Sequence, residues 1–235
     1  MASPRARDVL QGVVDPAHDL SNAAFPYLAC GEVTVCGGIP ARLYRLSFSG
    51  ELAYEIGVPA EYGDSLIRAL LQAGSAFGIA PYGTEALGVL RIEKGHPAGA
   101  EVNGQTTAHD LGMGKLLSTK KDFIGRYMAQ RPALTDPARP TLVGLRPINR
   151  EDRLRAGAHL IGKDAEPVAK NDQGYVTSVA FSPSLGHWLG LGLLSRGPER
   201  HGEIVRAYDP VRGGDVPVEV RAPCFIDPEG ERLRA

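Results

Sequence analysis

The segment ARLYRLSFSGELAYEIGVP, residues 41–59, places apolar residues at every second position on both sides of Ser49-Gly50-Glu51. A period of two belongs to a strand and not to a helix, so the segment predicts a β-hairpin turning at those three residues. Tyr44, Leu46 and Phe48 share one face of the first strand, and Leu52, Tyr54, Ile56 and Val58 continue it on the second. The other face carries Arg45, Ser47 and Glu55. Pairing symmetric about Gly50 sets Arg45 directly opposite Glu55, on the side of the sheet away from the first core. Such a pair has two readings. As a cross-strand tie it contributes roughly 0.2–1 kcal/mol. Alternatively it lines a polar pocket, and spacing leaves both open.

The rest of the chain narrows the setting. Its 235 residues suit one large domain or two modest ones. A formal net charge of -1, from 26 basic and 27 acidic residues, gives no electrostatic reason to expect nucleic acid or an anionic membrane as partner. No stretch approaches the ~20 apolar residues of a membrane span, and MASPRARDVLQ lacks an apolar signal region. Cys30, Cys36 and Cys224 are odd in number and lack ligand spacing, which fits free thiols in a reducing cytoplasm. The 29 glycines and 18 prolines imply tight turns and short strands.

Helices are expected after Ser3-Pro4, over 60–73 with Tyr62, Leu66, Leu70 and Ala73 inward, and from Thr84 to Gly95 with Leu87 and Leu90 inward. A strand is expected over Gly31–Gly37, with Gly38-Ile39-Pro40 turning it into the hairpin. Residues 132–140, PALTDPARP, hold three prolines and no periodicity, as a linker does. Beyond them come short β-runs at 141–145, 174–181, 188–194, 203–208 and 216–221, with Gly213-Gly214 as a hairpin signal. The expected fold class is therefore α+β: an α+β domain over 1–131, then a small antiparallel barrel or sandwich over 141–235.

Several motifs fail their chemistry. Gly112-Met113-Gly114-Lys115 is followed by Leu116 instead of the Ser or Thr of a phosphate-binding loop. Gly186, Gly190 and Gly192 lie in a β-run with no helix after it. The six histidines have no ligand spacing, so no metal site is expected. Three polar clusters remain: Arg45/Ser47/Glu55, the helix TEALGVLRIEKG with Glu85, Arg91 and Glu93, and the loop EVNGQTTAHDLG at 101–112. Solvated helix faces account for Arg91 and Glu93 taken alone. Carboxylates and a tyrosine around a cleft would suit a flat, hydrogen-bonding heterocycle.

Taken together, SGELAYEI at 49–56, LRIEKG at 90–95 and KDFIG at 121–125 resemble the aminomethyltransferase family typified by the glycine-cleavage T-protein. GYVTS at 174–178 and FSPSLG at 181–186 resemble the start of that family's C-terminal barrel. FSGELAYEI, PYGTEALGVLRIEKG and FIDPEGERL are most similar to the sarcosine oxidase alpha-subunit branch, and the resemblance runs through nearly all of the chain. It implies a tetrahydrofolate-binding unit that accepts the methylene group from oxidative demethylation of sarcosine, giving 5,10-methylenetetrahydrofolate. Flavin and NAD would lie in other regions or subunits of the complex. Glu55 matches the glutamate that hydrogen-bonds the pterin, and Arg45, Arg91 and Glu93 join it as candidate folate-site residues. The family's folate-tail arginine falls at Leu87 here. MASPRARDVL resembles an internal segment of the family, so the portion carrying its acidic catalytic residue is expected to be absent and no catalytic residue is assigned. The partners implied are other sarcosine oxidase subunits or the missing N-terminal half. Rival readings are the folate module of a dimethylglycine-type dehydrogenase and a non-catalytic folate-binding or scaffold fragment.

Overall fold

Two neighbouring strands, β1 (Cys30–Val35) and β2 (Ile39–Tyr44), form the tightest hairpin of the N-terminal region in a computed structural model that describes residues 1–235. Its turn is Cys36-Gly37-Gly38, all three at positive φ, so strand β2 already includes the Ile39-Pro40 expected to turn. A third strand, β3 (Glu55–Gly57), pairs antiparallel with β2 to complete the sheet β1-β2-β3.

The hairpin expected around Gly50 is corrected here. β2 and β3 do pair, but Tyr44 faces Glu55, Leu43 faces Ile56 and Arg42 faces Gly57. The register is thus one residue away from symmetry about Gly50, and one residue is enough to exchange the faces of a strand. The inward positions are Ala41, Leu43 and Arg45, while Leu46 is half-buried and Phe48 exposed. Competing backbone partners explain the shift. Arg45 exchanges hydrogen bonds with Leu28 and Ala29, and Leu52 and Tyr54 bond the first three residues of the chain. Residues 45–54 therefore pair with other segments instead of with each other. On the second limb Leu52 and Tyr54 do face the core, at 2% and 0% exposure.

The chain forms two compact units, Met1–Leu90 with Ile226–Ala235, and Arg91–Phe225; the first boundary falls inside a helix. In the first unit Val33, Val35, Leu43, Leu52 and Tyr54 pack against Ala6 and Leu10 of α1 (Ala6–Gln11) and Leu66 of α2 (Gly63–Gly74). Leu70 and Ala73 of α2 join them, as the apolar spacing predicts, whereas Tyr62 stays partly exposed. Helix α3 (Thr84–Lys94) contains Leu87 and Leu90 half-buried, with Ile92, Glu93 and Lys94 fully buried at its end.

In the second unit two short helical turns, α4 (Arg126–Ala129) and α5 (Pro132–Thr135), precede the strands, so the proline-rich stretch carries a turn of helix. It continues as β4 (Pro140–Pro147), β5 (His159–Gly162), β6 (Asp172–Ser182), β7 (His187–Ser195), β8 (Ile204–Tyr208) and β9 (Asp215–Arg221). These close into an antiparallel barrel in the order β4-β7-β6-β5-β8-β9, around Leu145, Leu154, Leu160, Val176, Val205 and Val218. Five of the six strands were expected. Strand β5 was not, because His159-Leu160-Ile161-Gly162 is too short to show alternation. Gly174 opens β6 where it crosses β7: a Cβ there would stand 1.9 Å from the Leu193 carbonyl oxygen, so only glycine fits. The last helix, α6 (Glu231–Arg234), belongs to the first unit.

Candidate functional site

In the first unit the geometry separates the two charges that the hairpin was expected to join. Arg45 is 1% exposed, and no carboxylate side chain lies within ion-pairing range of it. Its Nη1 donates to Asn22 Oδ1 (2.6 Å) and the Phe25 carbonyl (2.9 Å), and its Nη2 to the Arg234 carbonyl (3.0 Å) and the main-chain oxygen of the last residue, Ala235 (2.7 Å). Nε has no acceptor. Burial pushes the guanidinium below its ordinary pKa, with the Arg7 cation adding to the effect and Tyr54 opposing it. Arg7 shares Asn22 and the Ala235 main-chain oxygen with Arg45 and also donates to the Tyr54 hydroxyl (3.1 Å). This cluster ties helix α1, the end of β2 and the last residues of the chain together.

Glu55 lies at the start of β3, exposed, with no hydrogen-bond donor and no ion pair on its carboxylate. Its charge acts on the amino group of Met1, where burial lowers the pKa and Glu55 partly restores it. That amino group donates to the Tyr54 carbonyl at 2.9 Å. Met1 in turn lines an apolar groove of about 780 Å³, with Leu70, Leu71, Phe77, Tyr82 and Leu87 among its walls. Arg5 stacks over the Phe77 ring at 4.8 Å. The groove thus offers two aromatic rings and an aliphatic floor; Glu55 is not among its lining residues and is linked to it only through its charge on Met1. A volume of this size falls inside the roughly 300–1,000 Å³ range of small-molecule sites.

In the second unit Arg91 and Glu93 are consumed by internal contacts. Arg91 Nη1 pairs with Glu101 Oε2 at 2.9 Å and its Nη2 donates to Ser178 Oγ at 2.7 Å. Glu101, wholly buried, also accepts from the Thr177 hydroxyl and the Ala98 amide. A register shift between Val176 and Ser178 bulges β6 at Thr177, which re-aims the two neighbouring hydroxyls toward the pair. Burial raises the pKa of Glu101, yet the hydrogen bonds from Ser178, Thr177 and Ala98, with the Arg91 charge, hold it below the ordinary value. Glu93 accepts from Ser182 Oγ, which itself accepts from the Leu185 amide (3.0 Å). These residues dock the end of α3 on the barrel.

A second buried carboxylate, Asp110, takes a forked grip from Arg139, Nε to Oδ1 at 3.0 Å and Nη2 to Oδ2 at 2.7 Å. It also exchanges hydrogen bonds with Thr107. Burial opposes its ionised form, but Arg139 and Thr107 together keep its pKa below the ordinary value. Neither Glu101 nor Asp110 was singled out within the 101–112 loop. Thr107-x-x-Asp110 follows the spacing of a capping box and is the one sequence signal that could have found either.

Comparison with known proteins places these units in context. A family model described as the GCVT N-terminal domain matches residues 1–121, and one described as the glycine cleavage T-protein C-terminal barrel domain matches residues 141–227. The sarcosine oxidase subunit alpha of Rhizobium meliloti is 49% identical over 235 residues, covering 99% of this chain and 24% of that protein. The subunit of the same name from Corynebacterium sp. (strain U-96) is 40% identical over 237 residues, with the same shares. An aminomethyltransferase of Streptomyces coelicolor is 33% identical over 224 residues, covering 91% of this chain and 56% of its own length. The chain therefore spans about a quarter of the sarcosine oxidase subunits and just over half of the aminomethyltransferase. The crystal structure of glycine cleavage system aminomethyltransferase T from Bartonella henselae superimposes with a TM-score of 0.68 at 26% identity, over 79% of this chain and 50% of that one.

Proposed function

The chain belongs to the glycine cleavage T-protein family, and on that premise we propose that it supplies the pterin-facing part of a tetrahydrofolate site in a one-carbon transfer unit. The observations that support this reading are the exposed Glu55, whose charge acts on the amino group of Met1, and the apolar groove that Met1 lines together with Phe77 and Tyr82. A pterin is flat, so aromatic and aliphatic walls suit its faces. Its edge carries an amino group and a ring N–H, and an ionised carboxylate accepts from both. Arg45, Arg91 and Glu93 enter as anchors of the surrounding structure, since their polar atoms are already engaged. Leu87 lines the groove at the position where the family's folate-tail arginine was expected, so the glutamate tail of the folate is held by other groups. Tetrahydrofolate contributes nitrogens that capture a one-carbon unit; the chain's part is to bind and orient the ring.

We further propose that the unit serves a sarcosine-oxidising complex, in which the methylene group released from an N-methyl amine is passed to folate. The identity across 99% of the chain to sarcosine oxidase alpha subunits supports this over a free-standing aminomethyltransferase. Calorimetric titration with tetrahydrofolate, on the chain joined to the remainder of the Rhizobium meliloti subunit, tests it. Glu55→Gln keeps the shape but turns one acceptor into a donor facing the ring's donors, and affinity should fall by about 2–4 kcal/mol, or roughly 30- to 1000-fold. Glu61→Gln, also exposed in the same unit, is the control. Glu51 cannot serve, because it pairs with Arg232 at 2.8 Å. Equal affinities for wild type and Glu55→Gln would remove Glu55 from the site.

A further inference from the structure

Between the 101–112 loop and the barrel, residues 112–131 expose several large apolar side chains. Phe123, Arg126 and Ala129, spaced three apart, are half-buried, whereas Ile124, Tyr127 and Met128 point outward. Ile124 is fully exposed, Tyr127 is 79% exposed and Leu116, one short turn upstream, 76%. A helical turn in a soluble protein ordinarily hides its apolar side and shows its charged one. Here Phe123 and Ala129 take the less exposed side, yet Ile124, Tyr127 and Met128 still face water. Clustered exposed apolar side chains of this kind mark interaction sites.

The charge around them is equally one-sided. The segment carries Lys115, Lys120, Lys121, Arg126 and Arg131 against a single acid, Asp122, in a chain whose total is -1. Asp122 is 3.8 Å from Arg126. Lys115, Lys120, Lys121 and Arg131 are exposed and have no carboxylate within ion-pairing range.

We propose that residues 112–131 are the docking face for a second polypeptide that presents carboxylates around an apolar recess. A second copy of this chain does not fit, because a two-fold contact sets each patch against itself and would bring the unpaired cations together. A lipid surface fits poorly, since the helical part is only Arg126–Ala129, too short to lie in an interface as an amphipathic helix. Nucleic acid would meet the lysines but leave Ile124, Tyr127 and Leu116 in water. The central apolar anchors, with tyrosine among them and a basic rim, match the composition of protein–protein hot spots. The partner probed rests on the proposed function: another subunit of a sarcosine-oxidase-type complex.

The experiment mixes this chain, at full length, with the remaining subunits of the Rhizobium meliloti sarcosine oxidase and follows complex formation by analytical ultracentrifugation. Three variants are compared: Ile124→Asp/Tyr127→Asp, Lys120→Glu/Lys121→Glu, and Lys163→Glu/Lys170→Glu as a charge-reversal control on exposed barrel lysines. Since the altered side chains are exposed, all three should melt within a few degrees of wild type. Wild type and control are expected to bind alike, and each of the other two to lose at least about tenfold in affinity. Added salt should weaken the wild-type complex by screening the basic rim. A complex that tolerates both docking variants would overturn the docking face and leave the functional reading in place. Absence of any complex would overturn both. Self-association abolished by Ile124→Asp/Tyr127→Asp, or capture on phosphatidylserine vesicles lost in the same variant, would overturn the proposal in favour of a second copy or a membrane.

Discussion

Arg45 and Arg91 were both expected at a folate site, and both are instead largely buried anchors, but of opposite electrical kinds. Arg91 meets a carboxylate, Glu101, and two hydroxyls complete the network. Arg45 meets no carboxylate side chain: its acceptors are Asn22 Oδ1, the Phe25 and Arg234 carbonyls and an oxygen of the last residue, Ala235, and one nitrogen stays unpaired. In the first case the cost of desolvating two ions is offset by their mutual attraction. In the second no anionic side chain meets the guanidinium, which is held by main-chain and amide oxygens. Removing one side chain therefore does different things: Glu101 lost strands a charge in the barrel unit, whereas Arg45 lost empties a set of oxygen acceptors in the N-terminal one.

The largest expected effect follows from that asymmetry. Glu101→Leu leaves the Arg91 guanidinium and the Thr177 hydroxyl without their acceptor in a dry site, and should destabilise the barrel unit by about 3–5 kcal/mol. Urea denaturation should show it as a lower midpoint with little change in slope. Arg45→Met removes the isolated charge and its desolvation cost together with its bonds, so the loss should be smaller, about 1–3 kcal/mol. Arg45→Lys should not restore it, since one ammonium cannot span the two pairs of acceptors that the fork reaches. If Arg45→Met proved more damaging than Glu101→Leu, the contrast between an arginine paired with a carboxylate side chain and one without such a partner would be wrong.

Acid sharpens the same comparison. Glu101 and Asp110 both have folded-state pKa values below their ordinary ones. Their contribution is fully present above the unfolded carboxylate values, and it is lost as pH falls below about 4 through the lower folded values. None of the Arg45 acceptors is a carboxylate side chain. Lowering the pH from 5 to about 3 should thus loosen the barrel unit at Glu101 and Asp110 while the Arg45 bonds to Asn22 and the Phe25 and Arg234 carbonyls persist. Amide exchange that accelerated first around Arg45 would contradict this.

What could be read from the sequence follows the reach of each signal. Turn residues and short β-runs marked five of the barrel's six strands, because strand period and glycine punctuation are local. The α2 core face was legible for the same reason. The hairpin register was not, since it depends on Leu28–Ala29 and the first three residues capturing segments that alternation alone would pair together. Arg91 and Glu93 could be seen as polar residues among apolar neighbours, but their partners lie far along the chain. Ser178 is 87 residues from Arg91 and Ser182 is 89 from Glu93. No spacing rule spans such a distance.

The smallest expected effect bears on Glu55 and separates its two original readings. Had it been the cross-strand partner of Arg45, replacing it would have stranded a buried guanidinium. In the observed register it stands opposite Tyr44, exposed and without a hydrogen bond, while Arg45 is satisfied elsewhere. Glu55→Gln should therefore change stability by no more than about 0.5 kcal/mol, as exposed substitutions away from packing and pairing usually do. The same substitution is expected to cut tetrahydrofolate affinity strongly, so stability and binding are decoupled at this position. A matched pair of measurements, urea midpoint and folate titration on one preparation, reads both. A stability loss comparable to that of Arg45→Met would mean that Glu55 supports the N-terminal unit after all, and the carboxylate would then have a structural duty that leaves it less free to meet a pterin.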